Sequence, residues 1–161
     1  MANPAIRAAT GDAGIVRFPR GLVVEPGCDL SFSGVKTSVL RFLRAHPEAA
    51  VADVAAAFQE AVVDVLAVKL RRAAGSVGAP AVCLAGGVAA NSALRARVAA
   101  DALADGRRCF VPSPAMCTDN AAMVAAAAWW RWRSDGPMPL DAPADPKLRL
   151  AYDREPAEVA R

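Results

Sequence analysis

L-A-G-G-V-A-A-N, residues 84–91, is the stretch that decides the fold of this chain. It closes a short apolar run, residues 81–85, that sits behind Pro80 and has the length and composition of a buried strand. Gly86 and Gly87 then let the backbone turn sharply and come close to a ligand with no Cβ in the way. A helix is expected from about residue 90 to 104, stopped at Gly106. Residues 108–111 form a second buried strand, halted by Pro112 and Pro114. After C-T-D-N, residues 117–120, Thr118 or Asp119 is expected to cap another helix, which runs to about Trp132. Strand, helix, strand, helix in this order predicts an α/β domain with mixed or parallel pairing.

Upstream, residues 1–30 are rich in Gly, Pro and isolated charges and are expected to be mostly loop, with one short helix near residues 4–9. Residues 30–32 suit a short strand entering a turn at Ser33 and Gly34. Val35, Val39, Leu40 and Leu43 have helical spacing, and Pro47 closes that helix. Residues 49–74 are the longest helix candidate, with Val51, Val54, Phe58, Val62, Val65, Leu66 and Leu70 as its apolar stripe. From Ser134 the chain is rich in Pro and Asp and is expected to lie along the surface. No internal repeat is visible.

Composition narrows the class. A chain of 161 residues has the length of one domain with a real core. Its hydrophobic content of 55% owes much to alanine, and no apolar run reaches the ~20 residues that span a bilayer. No basic region precedes a long apolar stretch at the N-terminus, so no secretory signal is visible and a soluble, cytoplasmic protein without membrane contact is expected. The net charge of +3 permits contact with RNA without arguing for it. Basic groups at 69–72, 95–97, 107–108 and 131–133 are expected to be solvated helix faces and helix ends. The four cysteines have no C-x-x-C spacing and are expected to be reduced, with Cys83 in the core.

Several residues have the chemistry of a ligand site. The helix behind Gly86 and Gly87 presents backbone N–H groups that favour a phosphate. Asn91 either hydrogen-bonds a sugar, phosphate or base, or simply starts the helix. Asp119 is either an ordinary helix cap or a hard oxygen ligand for a metal. One carboxylate cannot hold a catalytic metal alone, and the only histidine, His46, is expected at an exposed helix end. S-F-S-G-V-K-T, residues 31–37, ends like a phosphate loop but lacks the spacing of one. Ser33, Gly34 and Lys36 therefore stand as weaker phosphate contacts, or as a plain turn and cap. Trp129, Trp130 and Trp132 cannot share one helix face; at least one is expected in the core and another on a surface that meets a second lobe. No general acid, base or nucleophile is assigned.

In order and spacing, S-F-S-G-V-K-T (31–37), G-G-V-A-A-N-S-A-L-R (86–95) and C-T-D-N-A-A-M-V-A (117–125) resemble the bacterial tRNA threonylcarbamoyl-adenosine synthase family (TsaD, formerly Gcp). Residues 4–6, F-P-R at 18–20 and A-D-P-K-L-R-L at 144–150 are similar to it as well, so the resemblance covers almost the whole chain. It implies the actin-like ATPase fold of sugar kinases, Hsp70 and actin, with two lobes around a nucleotide cleft. On this pattern residues 31–134 are the C-terminal lobe, residues 1–30 a remnant of the inter-lobe segment, and residues 135–161 a tail. The implied activity is transfer of threonylcarbamoyl from threonylcarbamoyl-adenylate to the exocyclic amine of the adenosine beside the anticodon. Asn91 matches the family's ligand-binding asparagine and Asp119 its metal-binding aspartate. The implied cofactors are one metal, iron or zinc, and threonylcarbamoyl-adenylate or ATP as ligand. The implied partners are tRNA and the other proteins of the threonylcarbamoyl-adenosine synthesis complex.

The same pattern places the family's first lobe, with the two histidines of an H-x-x-x-H motif, before Met1. His46 does not fit that motif. This chain by itself is therefore expected neither to hold the metal tightly nor to transfer the group, and to expose an apolar face. Two other readings compete. One is a non-catalytic paralogue that serves as a scaffold in the same complex, against which the presence of both Asn91 and Asp119 speaks. The other is a different carbamoyltransferase of the same fold. An older peptidase label for the family finds no H-E-x-x-H and no nucleophile–histidine arrangement here.

Overall fold

The computed structural model describes residues 10–143. They fall into two units, one ending at Asp119 and one beginning at Asn120. The frame of the first unit is a β–α–β crossover. Strand β1 (Ala81–Cys83) runs parallel to β2 (Arg108–Phe110), with Val82 opposite Cys109. Parallel neighbours cannot be joined by a tight turn, so the chain returns through a helix. Upstream of it lie α1 (Ser33–Ala45) and α2 (Val51–Ser76), and the crossover helix itself is α3 (Ser92–Ala104). The second unit holds α4 (Ala121–Asp135). The small parallel sheet with its helices agrees with the α/β class expected from the sequence.

The end of α3 shows why the chain reverses where it does. Gly106 has φ +66°, a left-handed conformation that glycine adopts without strain. Its N–H reaches Leu103 O, and the next N–H, of Arg107, reaches Ala102 O at 2.8 Å, so carbonyls of the last turn are satisfied before β2 begins.

Helix α2 is the centre of the unit and packs on two separate apolar clusters. Near its start, Val54, Ala57 and Ala61 meet Phe18 and Val35. Farther along, Val63, Ala67 and Ala74 meet Val82 and Leu84 from the sheet and Leu94, Val98 and Ala102 from α3. Phe18 is fully buried and sits edge-to-face on Phe42 of α1, ring centres 5.8 Å apart. Burial of such a side chain contributes about 1.5–3 kcal/mol.

Several expectations are corrected here. The single stripe expected on α2 does not hold, because Val51 and Phe58 are exposed while Ala56, Ala57, Ala61 and Ala67 are buried. A helix packed on two sides buries more than one stripe, and alanine lets neighbouring backbones approach. Residues 30–32 form no strand; Phe32 is the N-cap of α1, and Ser33 and Gly34 lie in its first turn. Cys83 is exposed rather than core, since Val82 takes the inward face of a three-residue strand; the buried thiol is Cys117. Lys69 is no solvated group. It is 3% exposed, and its Nζ donates to Glu25 O at 3.3 Å and Gly27 O at 3.0 Å. Arg72 grips the same loop through Val23 O, Glu25 O and Gly27 O.

In the second unit, α4 has no buried residue, so no tryptophan there is core. Trp129 and Trp132 share one face with ring centres 5.5 Å apart, and Trp130 does not join them. Asn120, not Thr118 or Asp119, caps α4: its Oδ1 accepts from Met123 N at 3.1 Å. Among the described residues no helix is long and apolar enough to cross a membrane. The short helix expected at residues 4–9 and the motif segments at 4–6 and 144–150 lie outside the described residues.

Candidate functional site

The chain leaves β1 at Cys83 and reaches Gly86, whose φ of +78° is the left-handed conformation that the following turn needs. A short 3-10 turn, Gly87–Ala90, then intervenes before α3. The helix therefore does not spring directly from the two glycines, and it is Asn91 that caps it. Asn91 Oδ1 accepts from Leu94 N at 3.0 Å, a regular N-cap bond. Its Nδ2 donates to Gln59 Oε1 of α2 at 2.9 Å. Gly86 and Gly87 have no atom within 4 Å of where a Cβ would stand, so that side of the turn is open to an approaching ligand. A cavity of about 330 Å³ lies beside the turn, walled by Leu84, Ala85, Val88 and Ala89 with Lys69 in its lining.

Arg95 links this turn to the second motif. Its Nη1 donates to Ala89 O at 2.9 Å, inside the 3-10 turn, and its Nη2 donates to Pro112 O at 2.6 Å. The same guanidinium lies 3.7 Å from Cys117 Sγ, and that buried thiol reaches Ser113 O at 3.4 Å. One side chain thus ties the segment that carries Asn91 to the loop that leads into Asp119. Arg95 departs from the solvated helix face expected for residues 95–97. The available signal was its position four residues after the cap, because helical side chains lean toward the N-terminus and so over the preceding turn. Its partners in the loop 112–117 could not be read from the sequence.

Arg97 is likewise engaged rather than simply solvated. Asp64 of α2 accepts from Arg97 Nη1 at 2.9 Å on one oxygen and from Arg20 Nε and Nη2 at 3.0 and 2.9 Å on the other. Arg97 also meets Asp101, and Arg20 also meets Glu60. The hydrogen bond to Asp64 is the main reason the Arg97 pKa is raised, so its charge is secure. Arg20 Nη1 returns to Phe18 O at 2.9 Å, which locks the F-P-R segment onto α2.

The remaining candidates are placed less tightly. Asp119 is exposed, just before the Asn120 cap, and no hydrogen bond or ion pair to its carboxylate is seen among the described residues. Ser33, Gly34 and Lys36 are exposed in the first turn of α1, which packs on the Phe18 cluster rather than on the cluster beneath Asn91. Ser33 and Gly34 line a shallow groove of about 460 Å³ with Pro19, Thr37, Ser38 and Arg41. His46 caps the C-terminus of α1, its ring stacked on Phe42 at 4.4 Å and its Nδ1 3.2 Å from Phe42 O.

These residues do not make a metal site by themselves. Among the described residues no three His, Cys, Asp or Glu side chains come together in a group able to hold an ion. Asp119 can be one ligand at most. What the arrangement can do is hold a ligand against the open glycine turn with a fixed amide at Asn91.

Against known families, the model described as TsaD: tRNA N6-adenosine threonylcarbamoyltransferase matches residues 1–126. The matched span takes in Arg20, Ser33, Gly34, Lys36, Gln59, Gly86, Gly87, Asn91, Arg95 and Asp119.

Proposed function

The chain belongs to the TsaD family of tRNA N6-adenosine threonylcarbamoyltransferases, and from that membership we propose that it takes part in transferring threonylcarbamoyl from threonylcarbamoyl-adenylate to the adenosine beside the anticodon. The family modifies tRNA and generally works with a metal and an ATP-derived substrate. In the proposed reaction the exocyclic amine of the adenosine attacks the carbamoyl carbon. The bond from that carbon to the adenylate phosphate oxygen breaks, AMP leaves, and the amine loses a proton. Nothing among the described residues is assigned as the base that takes it.

The observation that carries this reading is the Arg95 tie between the Asn91 turn and the loop before Asp119. A ligand that must be held at one end and presented at the other needs its contacts fixed relative to each other, because orientation supplies much of the rate in group transfer. We assign the adenylate to the Gly86–Gly87 turn and Asn91, where an open backbone and the α3 N-terminus suit a phosphate. Ser33, Gly34 and Lys36 are the weaker candidates for a phosphate contact. Asp119 is proposed as one carboxylate ligand of the family's metal, iron or zinc, whose other ligands the described residues do not supply. Residues 31–134 are proposed as a lobe of the two-lobed actin-like fold, joined in its working form by the other proteins of the synthesis complex.

The test is direct. The protein, assembled with its complex, is incubated with tRNA and threonylcarbamoyl-adenylate, and the tRNA is digested to nucleosides for mass spectrometry. Adenosine beside the anticodon is expected to gain the threonylcarbamoyl mass, and Asp119→Ala is expected to slow that gain by more than about tenfold. Stable tRNA binding with no modified nucleoside would replace this reading with the non-catalytic scaffold.

A further inference from the structure

Gln59 has no place in the motifs, yet it makes the contact that fixes the amide of Asn91. The two ends of that amide are told apart by their partners. Leu94 N–H, 3.0 Å away, can only be met by an acceptor, so it faces Oδ1. The other end, 2.9 Å from Gln59 Oε1, is therefore the NH2 group. Two bonds at opposite ends define the plane of the amide. One N–H of Asn91 is used by Gln59, and the direction of the second follows from the first.

Gln59 is well placed to act as a post. It is half-buried on α2, directly after a turn whose Val54, Ala56 and Ala57 are buried. Five residues further on, Asp64 is clamped by Arg20 on one side and Arg97 on the other. The helix that carries Gln59 is thus held by packing and by ion pairs on both flanks.

We infer that Gln59 is a positioning residue that aims the second N–H of Asn91 at the bound adenylate. This rests on the proposed role of Asn91 and adds a residue through which that role is exerted. Gln59 itself touches no substrate.

The test is a double-mutant cycle read in AMP affinity, AMP being the leaving half of the proposed substrate. Calorimetric titration is made on the assembled protein, unaltered and as Gln59→Leu, Asn91→Ser and both together. Serine keeps the cap on α3, so Asn91→Ser removes the amide without removing the helix start. Each single change is expected to weaken AMP binding by about three- to tenfold, the range of one hydrogen bond. Gln59→Leu is expected to add nothing once Asn91 is serine. An equal loss in both backgrounds means that Gln59 acts only on the fold, and overturns the inference. So does an unchanged Gln59→Leu beside a weakened Asn91→Ser, which leaves the role of Asn91 standing. If Asn91→Ser binds AMP as well as the unaltered protein, the role of Asn91 fails and the inference goes with it.

Discussion

The Asn91 amide caps α3 and bonds Gln59, and the cap can be separated by substitution from the ligand contact proposed for it. Asn91→Ala loses the cap and the Gln59 bond and is expected to lower stability by about 1 kcal/mol, read in denaturant melts. Asn91→Ser retains a cap and is expected to recover most of that loss while its AMP binding stays weak. Asp119 is the opposite case. Its carboxylate is exposed and supports no packing, so Asp119→Ala should leave the melting midpoint unchanged and yet reduce transfer by more than about tenfold, roughly 1.4 kcal/mol in the barrier. A shifted midpoint would assign Asp119 to the fold instead. The sequence pointed to both residues because their types and spacing were informative. It did not reveal Arg95, Gln59 or Lys69. A long polar side chain on a helix looks the same in sequence whether it ends in water or on a carbonyl from 17 residues away, as Arg95 does at Pro112.

At the scale of elements, the turn from β1 into α3 distinguishes two neighbouring glycines. Gly86 has φ +78° and Gly87 has no such constraint, and neither has a neighbour that a Cβ would strike. Gly86→Ala is expected to cost about 1–3 kcal/mol from the backbone alone, because φ +78° with ψ 173° is a region almost confined to glycine. Gly87→Ala should be close to neutral for stability and should act on adenylate binding, if the ligand approaches there; paired melts and AMP titrations of the two variants check this. Asp105, the C-cap of α3, joins α2 to the start of β2 by accepting from Arg71 and from Arg107. The Arg71 hydrogen bond, and then the charges of Arg71 and Arg107, hold the Asp105 carboxyl below its ordinary range. A depressed pKa means that this tie contributes fully above the ordinary carboxylate value of about 4 and is lost as pH falls through the lower folded value. Melting of the unaltered protein and of Asp105→Asn should therefore differ at neutral pH and converge in acid; a constant difference at every pH would show that the tie is not electrostatic. Element order was legible from Gly, Pro and apolar spacing from residue 81 onward, but not at residues 30–32, where an expected strand is the lead into α1, and boundaries moved by a few residues, as at Asn120.

At the scale of the whole molecule, the two units differ in what they can bury. The first encloses two apolar clusters around α2. The second has a helix with none of its residues buried, and it carries all 3 tryptophans of the chain. Tryptophan fluorescence, excited where tyrosine does not absorb, therefore reports on α4 alone. Emission is expected at the position of tryptophan in water and open to acrylamide; emission shifted to the blue would show that this helix is covered. By itself the sequence determined the strand–helix–strand–helix order from residue 81 onward and the α/β class, because glycine, proline and short-range periodicity act through the local backbone; that the two strands pair in parallel came from the structure. Only the tertiary structure decided which sides of α2 are core, that Cys117 rather than Cys83 is the buried thiol, and that Gln59 and Arg95 bond to the Asn91 turn. Those outcomes depend on residues far apart in sequence, whose approach is set by packing that no local pattern records.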